Sequence, residues 1–148
     1  MKQEVLRGFF RCSLVAMVVV GAVFVVGVSC NPSPGADDAV SFVRALTELR
    51  MASNEQKRGP LEQLRGVFCV NVDVCEARDA CVDAYEHHVR GVESGVTLRN
   101  RLDADLGFGQ TDAMSALLLE MNIEIEEGKR LMPLCEQRVS AIRKKYKI

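Results

Sequence analysis

The chain has 148 residues, 48% of them hydrophobic and 26% charged, with a formal net charge of −1. A sequence this apolar and of single-domain length is not intrinsically disordered, and a charge so near zero leaves no electrostatic footprint for nucleic acid. Residues 1–29 hold a net +2, so the remaining 119 carry −3, and every charge before Asn31 lies ahead of Cys12.

Lys2, Arg7 and Arg11 form a positive start, and Leu14 to Val28 is an uninterrupted apolar run of 15 residues. Small residues then lead to Cys30 in Gly27-Val28-Ser29-Cys30, the three-part pattern of an export signal. Beyond it, Asn31-Pro32-Ser33-Pro34-Gly35 is a turn-rich tether without apolar periodicity. This stretch resembles the signal peptide of bacterial lipoproteins, and the residues carrying the resemblance are Val28, Ser29 and Cys30 with the tether behind them. Gly27 stands where that family prefers Leu or another aliphatic residue.

The resemblance implies acylation of the Cys30 sulfur, cleavage just before it, and attachment to membrane lipid through the acylated cysteine. It covers the first 35 residues and implies nothing about the rest. Two other readings fit the same stretch. Cys12 to Cys30 is 19 residues without a charge, roughly 28 Å as a helix, enough for an uncleaved anchor. The other is an ordinary cleaved secretory signal with Cys30 merely near the site. All three place the chain after residue 35 beyond the inner membrane, facing the periplasm or exterior. The expected division is a signal peptide over 1–29, a lipidated cysteine and tether over 30–36, and a helical domain over 37–148.

The domain opens with a helix capped by Asp37 or Asp38 and running to about Lys57, with Ala39, Phe42, Val43, Leu46 and Leu49 on one stripe. Gly59-Pro60 ends it, and a short helix with Pro60 in its first turn presents Leu61, Leu64 and Phe68 to the core. Asp73 is the expected cap of a long helix to about Leu102, striped by Cys75, Val82, Tyr85, Val89, Val92 and Val96. Residues 103–110, with Gly107 and Gly109, form a turn. From a cap at Thr111, apolar positions alternate by four and three through Met114, Leu118, Met121, Ile125, Gly128, Met132, Cys135, Val139, Ile142 and Tyr146. That is the spacing of a helix packed along another. Pro133 lies within it and predicts a kink or a restart with the stripe in register. The fold class is therefore all-α: a disulfide-stapled bundle of three or four helices ending in a long helical hairpin.

In an oxidising compartment Cys69, Cys75, Cys81 and Cys135 read as two disulfides. The C-x5-C-x5-C spacing does not suit a metal, and neither a C-x-x-C redox pair nor a haem motif is present. Six residues along a helix rise about 9 Å, so Cys75 cannot bond Cys81. Two pairings remain: Cys69–Cys75 with Cys81–Cys135, or Cys69–Cys81 with Cys75–Cys135. Folding the hairpin about residues 106–107 sets Cys135 level with position 78 and Gly128 opposite Tyr85, whose ring could fill the space there.

His87 and His88 point about 100° apart and read as a solvated pair, with Asp83 at i−4 able to join His87. Glu120, Glu124 and Glu127 read as a solvated helix face. Gly91-x-x-x-Gly95 is either a weak point in its helix or a flat surface for a partner. Arg143, Lys144, Lys145 and Lys147 suit a helix C-terminus, or contact with anionic headgroups. The sequence offers no defensible catalytic set, so no catalytic, cofactor or metal residue is assigned and an enzyme is not expected. The functional expectation is a membrane-anchored exported lipoprotein with a structural or protein-binding role. The alternative is a periplasmic carrier of a small ligand or metal, with Met114, Met121 and Met132 as soft lining groups.

Overall fold

The computed structural model describes residues 35–104 and 111–148. They form α1 (Ala36–Met51), a 3₁₀ turn (Asn54–Gln56), α2 (Arg58–Arg65), α3 (Val72–Asp103) and α4 (Thr111–Tyr146). The fold is an all-α bundle in which α3 and α4 make a long antiparallel hairpin, with α1 and α2 packed against one half of it. Phe42, Leu46 and Leu49 of α1, Leu61 and Leu64 of α2, Val74 and Val89 of α3, and Val139 and Ile142 of α4 are buried together. Removing any of these large side chains is worth about 2–5 kcal/mol.

The first helix is shorter than its periodicity suggests. It stops at Met51, because Ala52 to Gln56 offers no large apolar side chain to continue the stripe, and Ala52 and Ser53 are extended. Lys57 then folds back, donating from Nζ to the carbonyls of Leu49 (3.2 Å) and Ala52 (2.9 Å). It is only 7% exposed. An ammonium on these last carbonyls replaces the partners that the end of a helix lacks.

The expected caps are also displaced. Gly35, at φ 88°, occupies the position before α1 and its carbonyl accepts from the Ala39 N–H. Asn71 rather than Asp73 caps α3, its Oδ1 accepting from the Val74 N–H. Asp38 and Asp73 serve tertiary contacts instead, described below.

The Cys69–Cys75 and Cys81–Cys135 pairing is the one formed, with Cα separations of 5.6 and 4.6 Å. Cys135 thus lies against Cys81 rather than midway between Cys75 and Cys81. α4 runs through Pro133 as a single helix with no restart, the proline on an exposed face. Its expected stripe faces inward, apart from Leu118, which is exposed.

The valine stripe of α3 does not face α4. Val89, Val92 and Val96 look toward the 3₁₀ turn and the start of α2, and Val82 and Tyr85 continue that face by helical spacing. Small residues meet α4 instead. A Cβ added to Gly128 would lie 3.1 Å from the His88 nitrogen and 3.2 Å from the Ala84 oxygen. One added to Gly91 would lie 2.6 Å from Ile125 Cγ1 and 3.3 Å from the Met121 oxygen. The backbones close in where side chains are missing, so Gly128 is not filled by the Tyr85 ring. The surface presented by Gly91 and Gly95 is occupied by the molecule's own last helix.

Candidate functional site

Three regions of the described residues carry chemistry or exposed apolar surface. The first is the far arm of the hairpin, beyond the cover of α1 and α2. Leu119 and Ile123, one turn apart on α4, are 62% and 58% exposed, and Leu118 beside them and Leu102 at the end of α3 are exposed too. On the α3 side, an open cleft of about 340 Å³ lies between the 3₁₀ turn, the start of α2 and α3. Val89, Val92 and Val96 form its floor, and Glu55, Arg58 and Glu93 its charged rim. This is the α3 core stripe continuing past the end of its cover.

The second region is a charge network across the waist of the bundle. Glu86 accepts from Arg58 Nη1 (2.9 Å), Arg65 Nη2 (2.5 Å) and Arg90 Nε (3.1 Å), while Arg58 also holds Glu93. Burial works to raise the Glu86 pKa, but hydrogen bonds from Arg58 and Arg65 outweigh it and hold the carboxyl at about 2. His87 Nδ1 lies 2.6 Å from Glu124 Oε2, with Arg90 3.9 Å from the other oxygen. His87 is thus a half-buried partner of α4 rather than one of a solvated pair, and Glu124 is not on a solvated face. His88 points the other way, toward Asn54. Burial, and then the charge of Lys57, keep its pKa below the ordinary histidine value. Among the described residues no group of three or more histidine, cysteine or acidic side chains could hold a metal.

The third region is the pole where the chain joins the domain. Gly35 sits so close to Tyr146 and Asn71 that an added Cβ would lie 2.8 Å from Tyr146 Oη and 2.9 Å from Asn71 Cβ. The Asp38 carboxylate crosses to the segment before α3, accepting from the Val70 N–H (2.7 Å) and the Asn71 N–H (3.0 Å). Lys145 at the end of α4 pairs with Asp73 at 2.5 Å, and Arg138 pairs with Glu76 one turn further along. The start of α1, the start of α3 and the basic end of α4 therefore meet at one pole, opposite the end of α3 and the start of α4.

Phe68 lies at this pole and is 80% exposed, contrary to its expected place in the core. The reason is local. α2 ends at Arg65, so helical spacing does not reach residue 68. From Val67 to Val72 the side chains instead alternate with a period of two, Val67, Cys69 and Asn71 half-buried and Phe68, Val70 and Val72 outward. Val70 and Val72 are 74% and 67% exposed. The segment is held by the Cys69–Cys75 disulfide, the Asp38 carboxylate and a hydrogen bond from Arg78 to the Val67 carbonyl.

The chain matches no known protein family, no curated protein and no solved structure. The site is thus read from its own residues. Cys30 lies outside the described residues, as does the stretch 105–110 of the expected turn. Cys69, Cys75, Cys81 and Cys135 are all joined in disulfides. Of the candidate lining methionines, Met121 packs on Gly95, and Met114 and Met132 are half-buried on the hairpin seam. No helix among the described residues is long and apolar enough to cross a membrane. Sequence reasoning missed Lys57, Glu86 and the outward Phe68-Val70-Val72 face. Only the last has a visible signal, the alternation of apolar residues just before a helix cap.

Proposed function

We propose that the protein is an exported lipoprotein, held at a membrane in the cell envelope by acyl chains on Cys30, with a structural or protein-binding role. The observation that carries this reading is the charged start, the apolar run and Val28-Ser29-Cys30 ahead of a turn-rich tether, and the place where the tether enters the domain gives that reading an orientation. The chain following Cys30 joins the folded domain at Gly35, at the pole opposite the end of α3 and the start of α4. A tether there leaves the hairpin pointing away from the membrane. α4 has 36 residues, about 54 Å at 1.5 Å per residue. The exposed Leu119 and Ile123 would thus be offered to a protein partner at a distance from the bilayer. Anchoring raises the effective concentration of such a partner at one surface, which is the mechanism of a tethered adaptor. No catalytic residue or cofactor is assigned to it.

The deciding experiment is the intact mass of protein from the membrane fraction, before and after reduction and alkylation. The expected species begins at Cys30, is heavier by acyl groups, and exposes its other four cysteines only after reduction. An unmodified precursor mass overturns the anchor. Partner binding is tested separately by Leu119→Asp with Ile123→Asp, which should abolish crosslinks formed from the far arm in intact cells.

A further inference from the structure

The outward face of residues 66–72 is unusual for a segment so firmly braced. It displays an aromatic and two valines to solvent while a disulfide and a carboxylate hold its backbone in place. We propose that Phe68, Val70 and Val72 form a membrane-docking face that enters the interfacial layer of the bilayer to which the protein is anchored. The inference rests on the lipid-anchored reading and adds to it an orientation and a second contact.

The position of the anchor selects the bilayer as occupant. Four residues separate Cys30 from Gly35, so the five Cα–Cα steps between them reach at most about 18 Å. Gly35 lies against Asn71, which sits between Val70 and Val72 in the same segment. With acyl chains on Cys30 in the bilayer, this face is therefore held within one short tether of the headgroups.

The surroundings also fit an interface. Lys145, paired with Asp73, adjoins Val72, and Arg143, Lys144 and Lys147 are exposed on the same end of α4. Apolar side chains flanked by basic ones are the pattern of interfacial binding. The pole also holds Asp37, Asp38 and Asp73. Asp38 is turned onto backbone donors and Asp73 onto Lys145. The charges therefore nearly balance, and the apolar face supplies the contact.

The chain contains no tryptophan, so Phe68→Trp in the full acylated protein gives a single fluorescent reporter at an exposed position. Val70→Trp serves as an independent second reporter, and Leu119→Trp as a control on the far arm. The proteins are reconstituted in vesicles of phosphatidylethanolamine and phosphatidylglycerol, with and without bromine near the carbonyl end of the acyl chains. Bromination should lower the emission of Phe68→Trp and Val70→Trp by about twofold or more and leave Leu119→Trp unchanged. Acylated protein in which neither pole reporter responds overturns the proposal while leaving the anchor intact. Reporters shielded from aqueous iodide yet indifferent to bromolipid overturn it too, since the face is then covered by protein. Quenching in a protein whose mass shows no acyl group supports the docking face and refutes the anchor.

Discussion

At the scale of single residues, the bundle is braced by a few polar groups whose partners come from distant parts of the chain. Glu86 takes two guanidiniums from α2 and one from its own helix. Its carboxyl sits at about 2 against an ordinary 4.5, so the folded state binds fewer protons than the unfolded one between those values. The stabilisation is complete above about pH 4.5 and is lost as the pH falls toward 2. Glu86→Gln should cost about 1–3 kcal/mol at neutral pH and should flatten the acid limb of a melting-temperature profile. Parallel acid limbs in the two proteins would rule this account out. Tyr146 is the opposite case. Its hydroxyl is buried and has no hydrogen-bond partner among the described residues. Tyr146→Phe should therefore leave stability unchanged or raise it by up to about 1 kcal/mol in denaturant titrations.

At the scale of elements, the hairpin depends on where its glycines face backbone and where they face a side chain. Gly128 meets the backbone of Ala84 and His88, which cannot withdraw, so Gly128→Val should destabilise by about 2–4 kcal/mol. Gly95 meets Met121 Sδ at 3.2 Å, an end that can swing aside. Gly95→Ala should cost nothing and can gain about 0.5 kcal/mol from helix propensity. Equal losses from the two changes would show that the seam is looser than described. The disulfides divide in a similar way. Cys81–Cys135 closes a separation of 54 residues and Cys69–Cys75 one of 6. In the chain-entropy model these are worth about 4 and about 2 kcal/mol. Replacing the first pair by serines should lower the melting temperature well beyond replacing the second, which should instead free the segment bearing Phe68.

At the scale of the molecule, periodicity fixed the elements far better than their faces. The heptad of α4 was legible because ten positions repeat without a slip, and the hairpin's symmetry brought Cys135 to within three residues of its partner Cys81. On α3, however, two faces qualify as interfaces. A large valine stripe is the obvious one, yet the helix pair closes on Ala84, Gly91 and Gly95, of which sequence reading takes only the two glycines for a weak point or a flat surface for a partner. Phe68 was misplaced because an aromatic three or four residues beyond an apolar pair reads as helical core until the helix is known to stop at Arg65. The meeting of Gly35, Asn71 and Tyr146 joins three segments distant in sequence, and no local pattern announces it.

That meeting has a mechanical consequence. If the proposed anchor at Cys30 and a partner on the hairpin arm pull against each other, the load falls on α1 in shear along the bundle, while the arm shares the force between two antiparallel helices side by side. Neither disulfide crosses the α1 contact; Cys81–Cys135 lies behind it. Under tension α1 and α2 should slide off first and release the stretch from Gly35 to Cys69, roughly 120 Å of slack at about 3.5 Å per residue, after which Cys81–Cys135 limits further extension. Single-molecule pulling should show one such step under oxidising conditions and a longer one under reducing conditions. The half of the molecule made by α1 and α2 would then work as a shock absorber, yielding while the hairpin itself stays closed.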